Sequence, residues 1–551
     1  MAAVFPGAWQ NWIGDHSVSG FRGSPTTKDE LIAAVELAVR SNRRIRAVGS
    51  GHSFSSCAKP RSGQSFLNIS GISGQFSEVE WLKSDPPGLA SGERLIRVKA
   101  GTRLKTFNRV VLAGRRPALA IINMGTFDGQ TLAGAISTGT HGTGTRLGSL
   151  ADLVVSMDVV TVTRGGDGQP RVQTIRVEPT DGVTDRTAFN RDSAEHGMVL
   201  YQDDDLFYSM VVSYGCMGVA FAYTMKVRPA YWLRVEDDLT QWRRLRDDLK
   251  KQTRTVPDVG RVPTAADEDR HFSFLLNVAE MQGKKAVGDP VCLITRRNMV
   301  PAEDEPKIHT YSWPPERTKD SFNEWFAGAF NLDTPDPVKD HDGLGETLRK
   351  KYFEKEAKKE PFAGNRTASA NFIALRRDRD SGKPDAAPKP PPDSISTEIA
   401  VPADRVTDAL DKALDLIQRH RFFFAVPLGI RFTAPSKHYL SAAYDRPTAF
   451  IEVAMVLSQS KLDGDHLDRD EMRDRIAKPA LADVESRLCY EGERLGRPHL
   501  GKHHSLTRER LQSMFPRFDA WLAAYRRFNA FGTFDNSFTD QLGLTGEGRD
   551  G

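Results

Sequence analysis

Cysteine is scarce and scattered. Cys57, Cys216, Cys292 and Cys489 lie far apart in a chain of 551 residues and form no Cys-x-x-Cys pair. That argues against a zinc site and against a disulfide framework. Long apolar runs are also missing: no stretch approaches the ~20 residues needed to cross a bilayer. The first residues, Met1 to Trp9, hold no basic region followed by an apolar segment. They do not read as a secretion signal, and a cytoplasmic location is the expectation. Nor does one sign of charge dominate. Lysine and arginine number 76 against 72 acids, a formal net charge of +4, too slight over this length to point to nucleic acid or a membrane.

What remains is an ordinary globular composition, 39% hydrophobic and 27% charged, in a chain longer than one core supports, so two domains are expected. Two stretches stand out. Arg46 to Phe54 reads RAVGSGHSF and Gly134 to Gly144 reads GAISTGTHGTG. Each is a glycine- and hydroxyl-rich turn beside an apolar segment. Such turns let backbone N–H groups come close to an anion, because glycine has no side chain in the way and tolerates positive φ. Two of them, one carrying a histidine, suggest a diphosphate-bearing cofactor held between two loops.

Along the chain, Thr27 to Arg40 reads as a helix capped by Thr27, with Leu31, Val35, Leu37 and Val39 in its apolar stripe. Strands are expected at Ile45 to Val48, Arg94 to Val98 and Leu153 to Val162, and a helix from Leu104 through Val111. Ser209 to Lys226 holds a third glycine-punctuated segment. This alternation means α+β or α/β. After Tyr231 the character shifts. Arg349 to Pro361 is charged and Arg376 to Pro392 is charged and proline-rich, and both read as solvated insertions or flexible loop. Strand-like runs return at Ser396 to Val401, Leu428 to Thr433 and Thr448 to Leu457. A helix around Leu511 to Phe528 follows, interrupted by Pro516.

Six blocks then combine: Gly49 to Phe54, Asn123 to Thr126, Gly134 to Gly144, Ser213 to Val219, Leu440 to Arg446 and Arg497 to Lys502. In this order they resemble the flavoenzymes of the vanillyl-alcohol oxidase, or PCMH, type, particularly aldonolactone (D-arabinono-1,4-lactone) oxidases and alditol oxidases. The resemblance implies an α+β fold with an FAD domain over 1–230, and a substrate domain on an antiparallel sheet over 231–490. A tail, 491–551, would return to the active site.

The resemblance makes His52 the candidate for covalent attachment to FAD, a bond that raises the ring's potential and prevents cofactor loss; the other reading is a turn histidine donating to a nearby carbonyl. Ala47, Val48, Gly49, Ser50, Gly51 and Ser53, with Gly134, Ala135, Ile136, Ser137 and Thr138, would cradle the pyrophosphate. Thr126, Thr131, His141 and Val219 would contact other parts of FAD. Gly125 would leave open the approach of O₂ to the flavin, which implies an oxidase releasing hydrogen peroxide; it is otherwise a plain turn glycine. No metal is expected.

For substrate chemistry, the family places a Glu-x-Arg pair on a substrate-domain strand and a lysine at the end of a Pro-His-x-Gly-Lys run. Arg431 and Lys502 match the two cations, either of which would stabilise the reduced ring. The glutamate is absent: its place is Gly429, on the same strand face as Arg431. Glu452, with Glu398 as second choice, is the acid expected to compensate by pairing with Arg431; such a pair could equally serve only to hold two strands together. Three readings follow: an O₂-using oxidase of sugar lactones, polyols or related alcohols, a dehydrogenase with another electron acceptor, or a flavin-binding protein that has lost catalysis.

Overall fold

The computed structural model describes residues 5–546 except 77, 126–127, 258, 302–337, 339–342, 359–361, 365–393 and 458–459. Among these, no helix is long and apolar enough to cross a membrane. The N-terminal part builds two sheets. Four strands run in the order Phe5–Gln10, Ser17–Gly23, Ser65–Asn68, Ile45–Val48. A second, six-stranded sheet places Val219–Pro229 between Arg94–Lys99 and Val154–Arg164, and continues through Pro170–Glu178 to Met198–Gln202.

The helix expected after Thr27 spans Lys28–Arg40, with Thr27 accepting from the Glu30 N–H in a capping box. Its buried stripe is Leu31, Ala34, Val35 and Ala38, a 3.6-residue period. Leu37 is 38% exposed, so two small alanines, with a half-buried Val39, complete the packing face in its place. The expected helix at Leu104 runs on as a wider-coiled turn to Leu112.

One buried ion cluster pins the six-stranded sheet. Asp158 accepts from Arg97 Nη2 at 2.5 Å and from Arg176 Nε and Nη2 at 2.8 and 3.1 Å, all three side chains being buried. Burial alone would raise the Asp158 pKa; the two guanidinium groups override it and hold the carboxyl well below the usual range.

The third sheet positions the site. Its eight strands run Phe362–Gly364, Leu233–Gln241, Val291–Met299, His271–Leu276, Leu428–Thr433, Thr448–Val456, Ser394–Pro402, Arg497–Pro498, every neighbour antiparallel. Helices Val406–Arg419 and Lys478–Cys489 pack together in its hydrophobic core. The last strand belongs to the tail. Beyond it, Gly501 O accepts from the Phe54 N–H at 2.9 Å and Thr533 O from the Ile45 N–H at 2.8 Å. The tail thereby ties the sheet to the first glycine turn. Its helices, Arg508–Met514 and Phe518–Phe528, break at Pro516 as expected.

The charged run at 349–361 corrects a sequence expectation. Leu344 to Ala357 is continuously helical. Leu348 and Phe353 are fully buried, the latter against Val291 and Leu293. The lysines and glutamates occupy only the outer side of a helix packed on the sheet, so high charge concealed an amphipathic element. The proline-rich run Arg376 to Pro392 lies outside the described residues.

Replacing Asp158 with Asn should cost about 3–5 kcal/mol, because the buried Arg176 loses its carboxylate and the buried Arg97 keeps only the half-exposed Glu80, 3.1 Å away. The wild type draws this stability above the ordinary aspartate pKa and loses it as pH falls through the depressed folded value. Denaturant titrations of both proteins at pH 7 test this: equal midpoints would refute it.

Candidate active site

A cavity of about 360 Å³ opens between the two glycine turns and one face of the eight-stranded sheet. Ala47, Gly49, Ser50, Gly51, His52 and Ser53 line it from the first turn, and Thr131, Gly134, Ser137, Thr138 and His141 from the second. Gly125 lines it too. The other expected residues are turned away. Val48 packs on Trp9 and Phe66, and Ala135, Ile136 and Val219 are in the hydrophobic core. The reason is periodicity: Val48 alternates with Ala47, Val219 with Gly218 and Ala220, and Ala135 and Ile136 lie off the helix face of Gly134, Ser137 and Thr138. They could meet a ligand through backbone only. Thr126 lies outside the described residues.

Close approach explains two glycines. A Cβ on Gly49 would sit 2.3 Å from Thr131 Oγ1, and one on Gly142 would sit 2.2 Å from Met124 O. The turns are therefore packed backbone to side chain and backbone to backbone. The cavity wall also holds polar atoms with no partner among the described residues: Ser53 Oγ, Gln130 Oε1 and Tyr223 OH are buried and unbonded there. Unmet buried groups of this kind await a polar ligand. With the His52 ring beside Trp12, centroids 4.9 Å apart, this end fits a dinucleotide carrying an aromatic ring system.

The sheet end of the cavity is charged. Arg431 donates from Nη1 to Glu398 Oε1 at 3.1 Å and from Nη2 to Glu452 Oε2 at 2.8 Å. Lys502 Nζ donates to Glu452 Oε1 at 2.6 Å and Ser396 Oγ at 3.1 Å, and lies 4.8 Å from the Phe54 ring centroid. Both acids named in advance thus bracket Arg431, and the lysine of the tail joins them. Lys502, Glu452 and Arg431 are 20%, 22% and 25% exposed, into the cavity, while Glu398 and His141 are 3% exposed. The first three present the most surface to a substrate; Glu398 and His141 reach the cavity wall but are almost wholly buried behind Arg431.

Burial would raise both carboxyl pKa values. For Glu398 the His141 and Arg431 charges reverse this and hold it well below the usual range; for Glu452, Lys502 and Arg431 do the same. Burial works against the Arg431 charge, but the two carboxylates raise its pKa.

His141 Nδ1 lies 2.9 Å from Gly142 O and must donate to it, which leaves Nε2, 3.4 Å from Glu398 Oε1, to share a proton with that carboxylate. Its ring stacks on Phe450, centroids 3.6 Å apart. Donor atoms of His141, Glu398 and His499 lie within 4.8 Å of one another, a spacing compatible with a metal. However, His499 Nδ1 already accepts from the Gly501 N–H at 3.1 Å and the ring bonds the Gly139 backbone. Burial pushes its pKa down to about 4. Backbone groups of Gly501 and Gly139 thus already engage the His499 ring.

Sequence reasoning missed Ser396, His499, Trp12 and Tyr352, all in the cavity wall. Ser396 was findable, two residues from Glu398 on one strand face, and His499 belongs to the same run as Lys502. Nothing local marked Trp12, and Tyr352 was masked by the charges around it. Gly125 has a second role: a Cβ there would lie 2.9 Å from Thr140 Cγ2 and 3.1 Å from His141 O. Packing requires this glycine whether or not oxygen passes it.

Comparison with known proteins agrees with this geometry. Residues 23–166 match a family described as FAD binding domain, and residues 393–467 and 490–542 match D-arabinono-1,4-lactone oxidase. An L-gulono-1,4-lactone dehydrogenase of Mycobacterium tuberculosis is 25% identical over 97% of this chain and 98% of its own length. A D-arabinono-1,4-lactone oxidase of Debaryomyces hansenii is 32% identical over 25% of this chain and 24% of its own. Among solved structures, a cholesterol oxidase from B. sterolicum superposes with a TM-score of 0.63 at 14% identity, covering 98% of this chain and 97% of that one. A chitooligosaccharide oxidase gives 0.57 at 12% identity, covering 96% and 93%. These two show the fold, a two-domain α+β fold of the PCMH type. With the two family patterns on the two walls of one cavity, the chain is similar to the aldonolactone oxidases and dehydrogenases, and is an FAD-dependent oxidoreductase that acts on CH–OH groups.

Proposed function

We propose that this enzyme oxidises a carbinol carbon of a sugar lactone, polyol or related alcohol and passes the electrons to O₂, releasing hydrogen peroxide. The observation that carries the reading is the convergence of Arg431 and Lys502 on Glu452 inside the cavity shared with the glycine turns. FAD, when bound, supplies the hydride acceptor at its N5 atom.

The chain's own residues do the rest. Glu452 accepts the hydroxyl proton while Lys502 and Arg431 stabilise the negative charge that develops on the oxygen. Glu398 and His141 hold Arg431 in place from behind. Of the residues named for the cofactor, Ser50, Gly51 and Ser53 with Gly134, Ser137 and Thr138 offer the pyrophosphate cradle, and Tyr223 and Gln130 offer further polar atoms. His52 is the residue we assign to the covalent bond. A reducing, cytoplasmic setting belongs to this reading, since all four cysteines are buried free thiols.

A second reading has support in the near full-length relative named a dehydrogenase: the same oxidation, with electrons leaving to an acceptor other than O₂. Peroxide formed per alcohol consumed separates the two. A ratio near one is expected; a ratio near zero with rapid dye reduction favours the dehydrogenase.

Two variants test the residues. Glu452→Gln should lower kcat by roughly 10²–10⁴-fold, the usual worth of a positioned base, with flavin content unchanged. In the wild type, activity should fall only below the ordinary carboxylate range near pH 4, because the folded pKa of Glu452 is depressed and the base works only when ionised. Undiminished turnover in Glu452→Gln would remove the catalytic role. His52→Ala should release yellow cofactor into the supernatant on acid precipitation, where the wild-type pellet keeps its colour.

A further inference from the structure

The cavity-facing side of the eight-stranded sheet changes character along one transverse row. Strand register places Glu398 opposite Glu452, Glu452 opposite Gly429, Gly429 opposite Leu275, and Leu275 opposite Leu293. Two carboxylates thus give way to a bare backbone position and then to leucines. The apolar end is closed by the helix from Leu344 to Ala357. Tyr352, Phe353 and Ala357 from that helix join Leu275, Leu293 and Val291 in one cluster, and Val426 packs beside Tyr352 in another. Leu275, Tyr352, Val426 and Pro427 all line the cavity next to Gly429.

Gly429 leaves real space here. A Cβ at this position would meet Glu452 and Leu275 only at ordinary contact distances, 3.8 and 3.9 Å. Its backbone is not in the left-handed region, so conformation does not demand glycine. The glycine therefore serves the pocket and not the chain's geometry. A substrate hydroxylated at every carbon would place hydroxyls against Leu275, Val426 and Pro427, where Tyr352 is the one polar-tipped side chain named in this wall, a desolvation penalty with little return. The helix that builds this wall lies outside both matched family segments.

We propose that the substrate is an alcohol whose reacting carbon bears an apolar substituent, aryl or branched alkyl. Its carbinol sits at Glu452, Arg431 and Lys502. The substituent lies over Gly429 against Leu275 and Tyr352, which makes these three residues determinants of specificity. The inference rests on the alcohol-oxidising reading of this site and narrows it to one substrate class.

Anaerobic mixing of the holoenzyme with 1-phenylethane-1,2-diol, xylitol and L-gulono-1,4-lactone, followed by loss of the yellow absorbance, tests it. The phenyl diol is expected to bleach the flavin with a kcat/KM at least roughly tenfold above xylitol, the scale of a filled apolar subsite. Gly429→Leu, which fills the space, and Leu275→Asn, which makes it polar, should each pull that ratio towards one. Preference for xylitol or the lactone in the wild type overturns the proposal without any variant. So does an equal loss on all three substrates in both variants. If none of the three bleaches the flavin, alcohol oxidation itself fails and the proposal falls with it, a result distinct from a polar preference.

Discussion

The structure depends on keeping four charges together out of bulk water. Arg431 and Lys502 face Glu398 and Glu452, with His141 beside Glu398, and each of the two cationic side chains reaches an acid within 3.1 Å. Removing any one strands a charge in a site where solvation is poor. That condition reaches far into the chain. Glu398, Glu452 and Arg431 come from three neighbouring strands whose register must hold to the residue, since a slip of one turns a side chain to the opposite face. Lys502 arrives only because Arg497–Pro498 adds an eighth strand at the sheet's edge.

The tail serves both walls at once. Its strand completes the sheet, and three residues later Gly501 accepts from the Phe54 N–H in the first glycine turn. Phe54 in turn lies against Lys502. The distance between cofactor cradle and charged group is therefore set by a short run, Arg497 to Lys502, bonded on both sides. A site assembled on such short rigid links keeps its geometry without a long loop.

Much of this was legible in the sequence, and the misses share a cause. Glycine-rich turns, capping residues and β-branched runs are local signals, and the elements they mark, such as Ile45–Val48 and Leu428–Thr433, have the expected bounds. Which face of an element meets the cavity is not written in the turn itself. Reading the motif as a block swept in Val48, Ala135, Ile136 and Val219, although simple alternation would have turned them to the core. Composition misled at 349–357, where charge density hid Leu348, Tyr352 and Phe353. Contacts between distant segments, such as Trp12 with His52, leave no local trace at all.

Gly429, where the resemblance led us to expect a glutamate, shows how neighbouring strands can carry the same charge from either side. Gly429 and Glu452 are direct partners across adjacent strands, and a Cβ at 429 would lie 3.8 Å from that of Glu452. Moving the carboxylate from one to the other keeps an acid beside Arg431, so the charge balance of the group survives. What changes is where the volume lies. An acid at 429 would occupy the centre of the row, between the charged strands and Leu275. An acid at 452 leaves that centre vacant and joins the space to the apolar wall. An acid at 452 in place of one at 429 thus keeps a carboxylate on Arg431 and alters the shape of the cavity, because in a β-sheet charge and space can be exchanged between neighbours without disturbing the backbone that carries them.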